Sequence, residues 1–77
     1  MNRIAVESAM LATIGYDVVG GILQPEFRSR AVYLYFGVPH SMYEALLTAS
    51  SKGGYFNGVI RGCFPHSRAS KDVRGEA

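Results

Sequence analysis

The sequence predicts a small α+β fold: a three-stranded antiparallel meander followed by two short helices packed on one face. Three observations lead there. Residues 9–36 hold three β-competent runs separated by two connections so short that only antiparallel hairpins fit them. After Pro39 the spacing of apolar residues changes from two to three and four, which is the helical period. At 77 residues the chain is one domain, and folding at this size removes only about 60% of the unfolded surface from water, so the core is small.

Residues 1–7 read as a lead-in with some strand character at Ile4 and Val6. In the first strand, residues 9–16, Met10, Ala12, Ile14 and Tyr16 fall on one side of an extended chain and Leu11 and Thr13 on the other. Asp17 opens a turn and Gly20-Gly21 supplies positive-φ positions, so residues 22–27 return antiparallel after a loop of four or five residues. Arg28-Ser29-Arg30 is the second connection, and residues 31–36, rich in Val, Tyr and Phe, form the third strand. Pro25 conflicts with a central second strand, because proline donates no ladder hydrogen bond; the expectation is a meander with a local defect there.

Gly37 ends the sheet, and Pro39 fits a first helical turn, where a missing N–H costs nothing. Ser41-x-x-Glu44 has capping-box spacing, and Met42, Tyr43, Leu46 and Leu47 make the apolar stripe of a helix running to about Ala49. Ser50-Ser51-Lys52-Gly53-Gly54 interrupts it. Tyr55, Phe56, Val59 and Ile60 then mark a second, shorter helix. The domain is expected over residues 1–66, with residues 67–77, nearly free of apolar side chains, as a disordered C-terminal tail.

Composition narrows the function classes. Apolar residues are 48% of the chain and charged residues 18%, rich in hydrophobes for so small a core, so some apolar surface is expected to meet a partner. No run reaches the roughly 20 apolar residues that span a bilayer, and no signal-peptide h-region is apparent, which predicts a soluble cytoplasmic protein. The single cysteine, Cys63, excludes an intrachain disulfide. Cys63-x-x-His66 has half the spacing of a zinc site but lacks the remaining ligands. His40-Ser41 and His66-Ser67 are neighbours in sequence, not a base aimed at a nucleophile, and the acids show no paired spacing, so neither an enzyme nor a cofactor is expected. The net charge is +2, unevenly spread: between Glu44 and Asp72 there is no acid, while Lys52, Arg61, Arg68 and Lys71 are basic.

Two groups of residues are candidates for binding. Ser51-Lys52-Gly53, at the entrance to the second helix, combines a glycine-bearing turn with a cation and suits an anion; Asn57 and then Arg61 follow on the same side. The P-loop order is missing, and a plain helix connector explains the same residues. Tyr33 and Tyr35 share one face of the third strand, where they serve either as stacking platforms or as core, and Arg28 and Arg30 lie just before them.

Read in order, Ser8, Ile14, Gly15-Tyr16-Asp17, Leu23, Phe27, Val32-Tyr33 and Tyr35 form one long pattern with Val38-Pro39, Tyr43, Leu46, Ser51, Gly53, Tyr55-Phe56-Asn57 and Ile60-Arg61. This pattern resembles the KTSC domain, found at the C-terminus of some lysyl-tRNA synthetases and as a stand-alone small protein. Three positions depart from it: Pro25 replaces a strand valine, Arg30 or Ala31 a turn glycine, and Leu34 a polar residue between the tyrosines. Leu34 makes the third strand apolar on both faces, so a homo-oligomer assembled through the face without helices is expected.

For function the resemblance implies RNA binding and nothing finer. With four basic side chains on a single strand, log affinity would fall with log salt at a slope of about −2.8, which describes a weak binder helped by avidity. A second class is an oligomeric protein that holds a small anionic, nucleotide-like ligand using Lys52, Arg61 and Arg28 or Arg30, with Tyr33 or Tyr35 as a wall. A third is a protein-interaction module docking through the apolar face. No membrane partner is expected.

Overall fold

In the computed structural model, which describes residues 3–69, the chain forms five strands where the sequence predicts three. They are β1 (Arg3–Ala5), β2 (Leu11–Asp17), β3 (Ile22–Phe27), β4 (Val32–Phe36) and β5 (His66–Ala69), in the order β1-β2-β3-β4-β5. All neighbours are antiparallel. Helix α1 (His40–Thr48), helix α2 (Lys52–Tyr55) and a π-helical turn (Phe56–Ile60) lie between β4 and β5. Among the described residues no helix is long and apolar enough to cross a membrane.

The two extra strands are edges, which is why hydrophobic alternation does not reveal them. β1 is three exposed residues paired with β2 from Arg3↔Gly15 to Ala5↔Thr13. β5 reads His-Ser-Arg-Ala and is held by the ladder of β4, from Tyr35↔His66 to Val32↔Ala69. Backbone hydrogen bonding, not burial, selects both. Short, charged edges of this kind also discourage further strand addition. Residues 67–69, which the sequence analysis assigns to a tail, thus belong to the sheet; residues 70–77 lie outside the described residues.

Pro25 sits in the middle strand, buried. The β2 ladder continues past it through Ile14↔Pro25, while pairing with β4 is absent at Gln24 and Pro25. The register shift is on β2, between Leu11 and Thr13. That shift corrects the expected alternation, because it turns Leu11 to the same side as Ile14 and Tyr16, and all three are core.

The hairpin loop between β2 and β3 has the expected four residues, with Gly21 at φ 67°. In the next turn Arg30 adopts φ 79°. This is the glycine-type position identified in the sequence, held here by a residue whose Cβ crowds its own backbone in that region. Arg30→Gly is expected to raise stability by about 1 kcal/mol, read as a melting temperature about 4–8 °C higher.

Pro39 precedes α1 as its N-cap residue, without a side-chain cap, and Ser41 does not form the expected capping box. Glu44 turns instead to His40, 3.6 Å away. The core joins Leu11, Ile14, Tyr16, Leu23 and Tyr35 of the sheet to Val38, Leu46, Phe56 and Ile60. Tyr16 stacks on Tyr43 at 4.5 Å and donates its hydroxyl to the Val38 carbonyl.

Strand pairing places Ile22, Val32, Leu34 and Phe36 together on the opposite face. Beside them Arg3 and Glu26 approach to 3.7 Å and are tied further through Thr13 and Gln24.

Candidate ligand-binding groove

On the helix side of the sheet the register of β4 with β5 sets four side chains in a square. Tyr35 lies opposite His66, and Tyr33 opposite Arg68. The Tyr35 and His66 rings stack at 5.0 Å, and the Arg68 guanidinium sits 5.8 Å from the Tyr33 centroid, within cation–π range. Tyr33 packs its edge on Phe27, and Phe27 and Tyr35 both meet Phe56 edge-on.

Beside this square lies a half-open groove of roughly 520 Å³, walled by Met10, Arg28 and Ser29 of the β3–β4 turn, Tyr33, Tyr35, Arg61 and His66. Arg28 enters from that turn and Arg61 from the end of the π-helical turn. Both are held by neutral acceptors. Arg28 Nε donates to the Ser8 carbonyl at 2.6 Å and Nη2 to Val6 at 3.5 Å. Arg61 Nη1 donates to Asn57 Oδ1 at 3.0 Å, which confirms that Asn57 and Arg61 share a side although the turn between them is π-helical. The π turn is fixed by Arg61 N–H donating to the Phe56 carbonyl, five residues back; such turns often mark functional sites.

Fixing a guanidinium without a carboxylate orients it and leaves its charge uncompensated. Among the described residues the ion pairs are Arg3–Glu26 and His40–Glu44; neither touches the groove, and no acid lines it. The site is therefore cationic, with an aromatic floor. No group of three His, Cys, Asp or Glu side chains that could hold a metal occurs among the described residues.

Tyr35 is 3% exposed and offers little surface to a ligand; it supports His66 and is core. Tyr33 is half-buried and keeps surface toward the groove. Burial pushes the Tyr35 phenol above its ordinary 10.0, with Arg61 opposing and Tyr33 adding to the rise. Burial, assisted by Asp17, raises Tyr16 likewise. An unfolded chain loses these protons first, so stability is full below about pH 10 and falls as pH climbs toward the folded values. A spectrophotometric titration is expected to show Tyr16 and Tyr35 ionising late, coincident with alkaline unfolding.

The other predicted residues are placed elsewhere. Ser51, Lys52 and Gly53 border a separate recess with Glu7, Ser8 and Met10. There Ser51 Oγ accepts from Gly54 N–H at 3.2 Å, and Lys52 Nζ donates to the Ala49 carbonyl at the end of α1. Both serve the connection between helices, and Glu7 lines the same recess. Arg30 is exposed and does not line the groove. Sequence reasoning missed His66 and Arg68 as site residues; the signal was their i, i+2 spacing after Pro65, legible only once β5 is known to be a strand.

A KTSC domain model matches residues 7–64, which include most of the groove. The chain belongs to the KTSC domain family. The crystal structure of a KTSC domain protein from Yersinia pestis superposes with a TM-score of 0.87 at 36% identity, covering 90% of this chain and 97% of that one. An uncharacterized protein of Stutzerimonas stutzeri is 44% identical over 61 residues, spanning 79% of this chain and 86% of that protein. A lysine–tRNA ligase of Nostoc punctiforme is 39% identical over 64 residues, 83% of this chain but 11% of the ligase. This KTSC domain thus matches whole small proteins and also a minor part of a much larger one.

Proposed function

We propose that this KTSC domain is a non-enzymatic binding module that takes a phosphate-bearing ligand, RNA foremost, in the groove of Tyr33, His66, Arg28 and Arg61. One observation supports the reading above others: two arginines, each tethered only to neutral acceptors, face an aromatic floor in a groove with no acid in its lining. Stacking on such a floor contributes about 1–3 kcal/mol per base. The tRNA-ligase name of relatives such as the Nostoc punctiforme protein fits this reading.

The test is a titration of the chain with a labelled octanucleotide RNA at several salt concentrations. If Arg28, Arg61 and Arg68 meet phosphates, log affinity falls against log salt with a slope of about −2. A flat salt response, or silence at low salt, removes the proposal and leaves the protein-interaction reading.

Self-association belongs to the same proposal, with a second copy stacked on the face of Ile22, Leu34 and Phe36. Arg3 and Glu26 neutralise each other on that face, whereas Arg28, Arg61 and Arg68 line or flank the groove on the opposite side. Pairing copies back to back turns two cationic grooves outward, which supplies avidity to weak sites, and leaves Asp17, the cross-strand neighbour of Ile22, at the margin of the seam. Sedimentation at tens of micromolar is expected to show a dimer that Leu34→Lys abolishes; a monomer at that concentration removes this part.

A further inference from the structure

We propose that the groove accommodates one nucleotide unit, its base against Tyr33 and its phosphate between Arg28 and Arg61, and not a run of stacked nucleotides. The inference rests on the phosphate-ligand reading and sharpens it. Sheet surfaces that read single-stranded RNA generally stack two or three bases on successive aromatic rings. Here the second ring of the pair is sealed: Tyr35 is 3% exposed, with Phe56 edge-on at 5.2 Å and His66 stacked on it at 5.0 Å.

On β4 and β5 that leaves Tyr33 and the exposed His66 as aromatic surface, 6.0 Å apart between ring centroids, a span that one base covers. Phe27 packs against Tyr33 at 5.7 Å, and the Arg68 guanidinium lies over the Tyr33 ring at 5.8 Å. The groove volume, roughly 520 Å³, lies in the range of about 300–1,000 Å³ usual for a single small ligand.

Two arginines line this one groove, Arg28 from the β3–β4 turn and Arg61 from the end of the π-helical turn, and their tethers spend only part of each guanidinium fork. Arg61 uses one Nη1 donor on Asn57, and Arg28 uses Nε and Nη2 on backbone carbonyls. With five donors on each fork, N–H groups remain for an oxyanion on both arginines. Because the tethers exist without ligand, little side-chain ordering is left to oppose binding. The same chemistry is offered by a free nucleoside monophosphate and by one unstacked nucleotide of an RNA strand.

Calorimetric titration of the full chain with uridine, inorganic phosphate, uridine monophosphate and octauridylate separates these sources. The expected result is saturable binding of the monophosphate, one per chain and at least tenfold tighter than uridine or phosphate, with displacement of octauridylate by the monophosphate. Arg61→Gln should lower monophosphate affinity at least tenfold, and Tyr33→Leu, which keeps an apolar side chain beside Phe27 but removes the ring, should narrow its advantage over phosphate. Octauridylate binding that the monophosphate does not displace overturns the single-unit inference and leaves the RNA reading standing. Monophosphate binding no tighter than phosphate reduces the groove to an anion site and also overturns it. Silence from all four ligands removes both.

Discussion

Phe56→Ala is expected to destabilise the fold by about 3–5 kcal/mol, the usual cost of truncating a buried phenylalanine. Phe56 is fully buried and is the largest side chain so enclosed. It begins the π-helical turn, and its ring takes Phe27 edge-on at 5.6 Å and Tyr35 at 5.2 Å. The chain has 77 residues, and at a general 0.05–0.15 kcal/mol per residue its total stability is about 4–12 kcal/mol. The substitution thus removes between a quarter and all of it. Urea denaturation should show a much lower midpoint or no folded baseline. Val19→Ser, at a position 97% exposed, should stay within about 0.5 kcal/mol of the parent. A small shift for Phe56→Ala would mean that the π-helical turn is not anchored by this ring.

The second large effect is on binding. Arg61→Glu should leave the melting temperature nearly unchanged, since Arg61 is exposed and its side chain bonds only Asn57. It replaces a guanidinium with a carboxylate in a groove that has no other acid. Facing a phosphate, that like-charge contact costs several kcal/mol, so affinity for an octanucleotide RNA should fall on the order of a hundredfold or more at low salt. Lys52→Ala is the informative comparison. Its ammonium caps α1 through the Ala49 carbonyl and borders the recess that contains Glu7, so binding should change less than about twofold, the level of a distant surface charge. Equal losses for the two variants would return the anion site to the entrance of α2.

Legibility followed burial. The hairpin between β2 and β3, the start of α1 and the core role of Phe56 and Ile60 are set by local turn chemistry and by apolar spacing, both visible along the chain. β1 and β5 were not, because a strand three or four residues long at a sheet edge buries almost nothing and leaves no period to find. The bulge near Ala12 was hidden for a related reason: alternation assumes an unbroken register, and one extra residue moved Leu11 from the face assigned to it onto the core. At the site, Arg28, Arg61, Tyr33 and Asn57 were found as residue types suited to an anion and a ring. Their partners were not assigned with them, since the groove is assembled from β3, β4, β5 and the π-helical turn, which lie far apart in sequence.

By itself, then, the sequence determined the family, the antiparallel sheet followed by helices, the apolar second face created by Leu34 and the absence of acids between Glu44 and Asp72. Tertiary structure decided which cations keep their charge available. Lys52 and Arg61 are equivalent as sequence, but one is a helix cap beside Glu7 and the other is fixed by a neutral amide over an acid-free groove. It also decided that Tyr35 is core while Tyr33 keeps an exposed side, because the helical layer ends over Tyr35 and does not cover β5. Composition fixes how much charge and aromatic surface a chain carries. What each side chain spends on its own fold, and what remains for a ligand, depends on contacts between segments far apart in the sequence.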